Sequence, residues 1–437
     1  MAITCTPITD DVTLAAVRAR IDAAFGAVFT PAETPDELAS QAIGDATRIP
    51  ELSLALHQDG EPIGGTFAMA MDYTLPGGQM LPIAGLSGVG VEPSAAGRGA
   101  FRPLITTHLS IAKKRGYPAS TLFASEAGLY GRFGYGRVST VARYEATSAY
   151  SQLDGKRALS GTTRLLFDAD QIRADVAAAH DTTIGRSAMS SRSPELWNLF
   201  FDKKQSWLGG GKRFFAVHYD DDGAPTGYVA YTVVHDQVGH DVTGSRLEVN
   251  EFVAGDVDAE LSLWRYLTSV PLTRRIVLHH APTELALTEH LRDPRQLRQV
   301  SRTDAVWLRP LDVERLLTTR RYEQDGRAAF DFDDPQFEDL NGTYTIDVVD
   351  GVAQVAGRRI RWRHAQPRPA RNHSVRRAAV DVARQGRHRC GSRAGTSIGR
   401  SALCHQRNAV LIDSFLRRFA DLGAPVNQTR HRGICDG

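Results

Sequence analysis

The chain has 437 residues, 42% of them hydrophobic and 23% charged, with a formal charge of +2 at pH 7. Those proportions exclude a disordered, collagen-like or wholly coiled-coil chain, and the length predicts about three domains. No apolar run reaches the roughly 18 residues that a membrane-spanning helix needs, and the N-terminus lacks a secretory signal, so the expected location is cytoplasmic. The four cysteines, at positions 5, 390, 404 and 435, do not form a disulfide framework, which fits a reducing compartment.

Apolar residues at Leu14, Val17, Ile21 and Phe25 predict a helix over 11–28. Alternation at Leu52, Leu54 and Leu56, the turn at Asp59-Gly60 and an apolar run over 63–73 predict antiparallel strands. A buried strand over 81–91 leads through a Gly-rich loop, 92–99, into a helix over 100–115 that Gly116 and Pro118 stop. A strand over 119–124 follows, then the compact Gly-rich stretch 131–136, and the first domain is expected to span 1–150. The plan then repeats, with strands over 164–167, 214–219, 228–235, 247–253 and 274–278 and a helix through Trp264 and Leu267. That places a second domain at 151–305 and a third at 306–437, the latter opening with a helix over 313–320 and a hairpin across Asp350-Gly351. The expected fold class is mixed α/β.

The strand, loop and helix of residues 86–105 are the strongest local signal. Backbone N–H groups of Gly97, Arg98, Gly99, Ala100 and Phe101 can converge on an anion at the helix start, with Arg98 and Arg102 adding charge. An ordinary Gly-rich turn explains the loop equally well. Val89, Gly90 and Val91 suit main-chain bonding to an extended ligand if their strand splays from its neighbour. The corresponding second loop carries Asp256, Asp258 and Glu260, which favour the helix dipole but repel an anion, so only the first unit is expected to hold a phosphate.

The stretch 123–136, containing Ser125, Glu126 and Tyr130 and ending Gly131-Arg132-Phe133-Gly134-Tyr135-Gly136, resembles, together with 86–102, the Eis-type (enhanced intracellular survival) acetyltransferases of the GCN5-related N-acetyltransferase (GNAT) superfamily. The resemblance runs to about residue 357. It implies tandem GNAT-fold domains and a sterol-carrier-like C-terminal domain, homohexamer assembly, and transfer of acetyl from acetyl-CoA to primary amines such as aminoglycosides, polyamines or lysine-like acceptors. It implies no metal. By resemblance, Val89, Gly90 and Val91 bind the pantetheine arm, Gly97 to Arg102 hold the pyrophosphate, and Ser125 and Glu126 make further cofactor contacts. Tyr130 matches the proton donor, and a phenol suits the protonation of a departing thiolate. The alternative for Tyr130 is a hydrogen-bonded core tyrosine.

The chain departs from the family at three places. Ala96 replaces a Gln or Arg of the phosphate loop, and Gly88 replaces an aromatic residue at the acceptor site, which implies a wider or differently shaped acceptor pocket. Family members end in an aromatic residue whose carboxylate is the general base; here the free carboxylate belongs to Gly437. Residues 358–408 hold 14 Arg, no Lys and one acid, a charge near +13 that leaves the rest near −11. This segment reads as translation from a shifted frame, with an Arg-rich nucleic-acid arm and a solvated basic extension as competing readings; a catalytically impaired CoA- or ligand-binding protein is the alternative function. His388, Cys390, Cys404 and His405 lack the paired spacing of a zinc site, 209–212 is not a P-loop, and His279-His280 is read as structural, with no spaced carboxylate partner.

Overall fold

The computed structural model describes residues 3–26, 34–97, 99–186, 189–202, 212–235 and 244–359. The first stretch of chain forms β1 (Ile3–Pro7), α1 (Asp11–Ala24), α2 (Pro35–Ala46), β2 (Leu54–Gln58), β3 (Glu61–Thr74), β4 (Met80–Val91), α3 (Phe101–Lys114), β5 (Ala119–Phe123), α4 (Ala127–Tyr130), β6 (Gly136–Arg137) and β7 (Thr140–Thr147). It continues with β8 (Thr162–Leu166), α5 (Ala169–Asp181), α6 (Pro194–Phe201), β9 (Arg213–Tyr219), β10 (Pro225–Val234), β11 (Ser245–Ala254), α7 (Val257–Ser269), β12 (Thr273–Ala281) and β13 (Leu297–Asp304). The last described elements are β14 (Val306–Pro310), α8 (Val313–Thr319), β15 (Gly326–Phe332), β16 (Gly342–Val349) and β17 (Val352–Arg359).

Local chemistry explains the main elements. Asp10 caps α1 by accepting from Thr13 N at 2.8 Å, and Leu14, Val17 and Ile21 then fall on one buried stripe. α3 buries Leu104, Ile105, His108, Leu109 and Ala112 against the sheet, and Gly116 ends it with φ +81°. Alternation of buried with half-buried or exposed residues along β7 and β16 marks strands with one face on a core. Asp350 (φ +51°) and Gly351 (φ +71°) make the expected tight turn between β16 and β17.

Among the described residues the strands make two seven-stranded sheets and one of three strands. The first runs β1-β2-β3-β4-β5-β14-β6, the second β13-β7-β12-β11-β10-β9-β8, and the third β15-β16-β17. Sheet membership crosses the chain-order cuts expected at residues 150 and 306. β7, which follows the first unit, pairs with β12 of the second sheet, whereas β14, which follows the second unit, returns to pair with β5 of the first. Each parallel pair, β4 with β5 and β11 with β12, thereby gains its next antiparallel neighbour from the far end of the other unit. The third sheet packs its Tyr344, Ile346 and Val348 on Val313 and Leu317 of α8. No described helix is long and apolar enough to cross a membrane. Residues 360–437, which include Gly437, the candidate zinc ligands and nearly all of the Arg-rich stretch, lie outside the described residues, as do Arg98 and 209–211.

Candidate active site

β4 and β5 run side by side for only two register pairs, Ala84↔Ser120 and Gly85↔Thr121. Beyond Gly85 they part, and β4 slips register against β3 between Gly65 and Phe67. Gly88 lies at this bulge with φ +56°, and a Cβ there would sit 3.0 Å from the Phe67 ring. In this chain the left-handed backbone favours glycine there, and a Cβ would press on the Phe67 ring. The wedge between the strands is a cavity of about 250 Å³. Ser87, Gly88 and Val89 line it from β4, Leu122 and Phe123 from β5, and Ser125 and Tyr130 from the turn that follows.

Tyr130 closes α4 as a buried side chain, edge-to-face with Phe101 at 5.7 Å and with Tyr135 at 5.9 Å. Burial, reinforced by the Glu126 carboxylate, pushes its phenol up to about 12, so the proton stays on oxygen throughout the neutral range. A buried polar chain supports this aromatic wall: the Tyr135 hydroxyl lies 2.9 Å from Ser120 Oγ, which lies 3.0 Å from His108 Nε2. Burial pulls the His108 imidazole down to about 4, which keeps it neutral at pH 7.

Gly97 (φ +76°) and Gly99 (φ +82°) are exposed and lead directly into α3. The α3 N-terminus has no side-chain cap and no acid in its first turn, so the chain's own carboxylates do not compensate its positive dipole end. The matching end of α7 is filled by its own carboxylates. Asp256 accepts from Ala259 N at 2.7 Å, Asp258 is held by Arg157 at 2.7 Å, and Glu260 accepts from Leu287 N at 2.7 Å. Of the two helix ends, that of the first unit is the one without a carboxylate in its first turn.

Comparison with known proteins decides the family. Models of the GNAT acetyltransferase domain match residues 13–138 and 188–310. The N-acetyltransferase Eis of Mycobacterium tuberculosis is 30% identical over 290 residues, which are 64% of this chain and 69% of that protein. The chain belongs to the Eis-type GNAT acetyltransferases. An uncharacterised N-acetyltransferase of Streptomyces griseus is 27% identical over 357 residues, covering 75% of this chain and 84% of its own. In fold, Eis1 from Mycobacterium abscessus superposes with a TM-score of 0.67 at 23% identity, over 81% of this chain and 85% of that one. A GCN5-related N-acetyltransferase from Anabaena variabilis does so at 0.65 and 19%, over 82% and 86%.

Of the residues expected to form the acetyltransferase site, Val89, Ser125 and Tyr130 line one cavity. Gly90 faces Ile21 and Ala24 of α1, and Val91 packs with the core beneath α3. Ala100 is buried, and Phe101 spans the loop and the turn through its contacts with Tyr130 and Phe133. Arg102 is exposed with its guanidinium 5.5 Å from the Phe133 ring, and Glu126 is exposed beside Tyr130. The expectation that His279 has no carboxylate partner is corrected: its Nε2 pairs with Glu248, because parallel pairing of β11 and β12 joins residues 31 apart in sequence. Sequence reasoning missed Phe25, Met69, Met71, Tyr73, Ser190 and Val306, which also line the cavity. The alternation of Met69, Met71 and Tyr73 along one strand was a usable signal; nothing local marks Ser190 or Val306.

Proposed function

We propose that this N-acetyltransferase binds acetyl-CoA in the wedge between β4 and β5 and transfers the acetyl group to a primary amine, with Tyr130 protonating the departing thiolate. The observation that carries this reading is the meeting of the parted strands with the buried Tyr130 hydroxyl-bearing ring in one cavity, next to an uncapped helix end. The pantetheine arm takes the main-chain groups that β5 leaves open around Val89 to Val91, with Ser125 and Glu126 beside it. The pyrophosphate takes the amides of Gly97 to Phe101, with Arg98 and Arg102 as charge partners; Ala96 adds none. Unpaired β4 donors near Val89 polarise the thioester carbonyl. The amine attacks as the free base, the tetrahedral intermediate collapses, and the Tyr130 proton passes to sulfur.

The Gly437 carboxylate is the base assigned by family resemblance. Among the described residues the cavity contains no carboxylate or imidazole, and this observation favours a second reading in which the chain binds acetyl-CoA without turning it over. The same proposal takes α8 and the third sheet as the start of a sterol-carrier-like domain and the assembly as a homohexamer, which sedimentation measures. Tyr130→Phe is the direct test. It should lower amine-dependent CoA release about 100-fold or more while leaving the acetyl-CoA dissociation constant close to its original value. An unchanged rate removes Tyr130 from the mechanism, and acetyl-CoA binding without any turnover establishes the second reading.

A further inference from the structure

We propose that Arg192 of the second unit is a positioning residue for the acceptor amine: anchored on Glu251, it holds residues 189–191 along β3 so that Ser190 walls the acceptor end of the cavity. This rests on the transfer reaction assigned above to the same cavity. The pyrophosphate is assigned to the start of α3 and the pantetheine arm to Val91 through Val89, so the acceptor enters from the opposite end, beyond Gly88 toward Gly85. β3 lies there in antiparallel register, Met69 with Gly85 and Tyr73 with Leu81, and Ser190 bridges to Tyr73. Both Tyr73 and Ser190 line the cavity.

The strand geometry explains how the second unit reaches this end. β2 pairs with β3 only as far as Thr66, and Arg48 bridges to Met69. Beyond that point residues 189–191 take the same edge of β3. Thr74 N donates to Met189 O at 2.8 Å, Ser191 N donates to Asp72 O at 2.9 Å, and Asp72 N donates to Ser191 Oγ at 3.0 Å. The Thr74 hydroxyl donates to Ile184 O at 2.5 Å, which ties the turn before the segment to the same strand. Three residues of pairing are too few to hold a strand by themselves, so the place of this one depends on what fixes its ends.

Arg192, the next residue, supplies that fixture. Its guanidinium binds the Glu251 carboxylate through two nitrogens, at 2.5 and 3.3 Å, and lies 4.7 and 4.6 Å from the ring centres of Trp197 and Phe200. The Tyr228 hydroxyl donates to the same carboxylate at 2.5 Å. Burial alone would raise the Glu251 carboxyl, but Arg192 and Tyr228 outweigh it and hold it below the ordinary carboxylate range, so the pair is ionised at neutral pH. Glu251 reaches this position through a bulge, because Tyr231 pairs with Val249 and Ala230 with Glu251, passing over Asn250. The bulge follows the last parallel rung, Val249 with Leu278, as Gly88 follows the rung of Gly85 with Thr121 in the first unit. The repeat thus uses one feature twice, beside the thioester in the first unit and as the anchor of the acceptor wall in the second.

The test measures CoA thiol release by the full-length protein with acetyl-CoA and, in turn, kanamycin and spermidine. It compares the wild type with Arg192→Met, Arg192→Lys and the double variant Arg192→Met with Glu251→Gln, which strands no carboxylate should the single change fail to fold. Calorimetry with acetyl-CoA counts the sites in each. A variant that is merely less well folded loses sites and apparent kcat while the amine KM stays where it was. We expect instead that the amine KM rises at least about tenfold in Arg192→Met and in the double variant, with kcat per site and the acetyl-CoA dissociation constant within about twofold of the wild type. Arg192→Lys, which keeps the charge and gives up the two-nitrogen contact, should lie between. A smaller rise in the double variant, or a loss confined to kcat, overturns the proposal. If neither amine releases CoA from the wild type, the transfer reading fails, and calorimetry of spermidine with the CoA complex decides the acceptor wall separately. Binding at least about tenfold weaker in the double variant sustains it; a smaller loss, or no binding to the wild type, overturns it.

Discussion

Tyr130 is defined by its surroundings more than by its chemistry. A solvated phenol would already be protonated at pH 7; burial and Glu126 carry its proton affinity up to about 12. An acid catalyst acts only while protonated, so its contribution is complete below its folded pKa and is lost as the pH rises through that value. The rate at saturating amine should therefore show no descending limb between about pH 8 and 10. A limb in that window, measured on the wild-type enzyme and absent from Tyr130→Phe, would mean that the phenol titrates far below the value its burial implies. The Ser125 to Tyr135 motif was legible in the sequence because its unusual run of glycines and aromatics is contiguous. The partners that fix it, Ser120 and His108, were not, since they meet it only through packing of β5 on α3.

At the scale of elements, the turn after α4 shows how glycine positions differ in purpose. Gly134 takes φ +83°, and a Cβ there would lie 2.8 Å from Arg309 Nε. Gly131, three residues earlier, has ordinary helical geometry at φ −57° with nothing within 4 Å of its Cβ site. Gly134→Ala should cost about 1–3 kcal/mol, whereas Gly131→Ala should be neutral or gain up to about 1 kcal/mol through the unfolded chain. Urea unfolding of the two variants checks this, and equal midpoints would refute it. The long periodic elements, α1, α3, β3, β4 and α7, were readable from their spacing. α2 was missed, although Thr34 and Glu37 form a capping box at its start and Pro35 stands in its first turn.

Among the described residues, exchanged strands and a deeply buried ion pair tie the units together. Arg309, on the strand that returns to the first sheet, meets Asp334 of the third unit at 2.8 and 2.6 Å, and neither side chain is exposed. Asp334 also accepts from the backbone N–H groups of Gln336 and Phe337 at 2.9 and 2.7 Å, which fixes the turn that docks on α3. Gln336 Nε2 donates to Thr106 O at 3.0 Å, and Lys113 pairs with Asp339 at 2.9 Å. Removing one partner strands a buried charge, so Arg309→Met should lose about 3–5 kcal/mol. The double variant Arg309→Met with Asp334→Asn keeps the backbone acceptor and removes the orphan charge, and it should be the more stable of the two. A double variant that unfolds at lower urea than the single one would contradict the assignment.

The sequence by itself determined the family and the repeat of the strand, helix and strand plan. These are local features, written in contiguous residues or in a fixed period, and local physics reads them directly. Tertiary structure alone decided that β7 and β14 change sheets, that His279 meets Glu248, that Arg309 locks the third unit to the first, and that Met69, Met71, Tyr73 and Ser190 share a cavity. Each of these joins residues distant in the chain, and the free energy that selects one such pairing over another comes from burial and charge compensation in the assembled fold, which no single stretch of sequence contains.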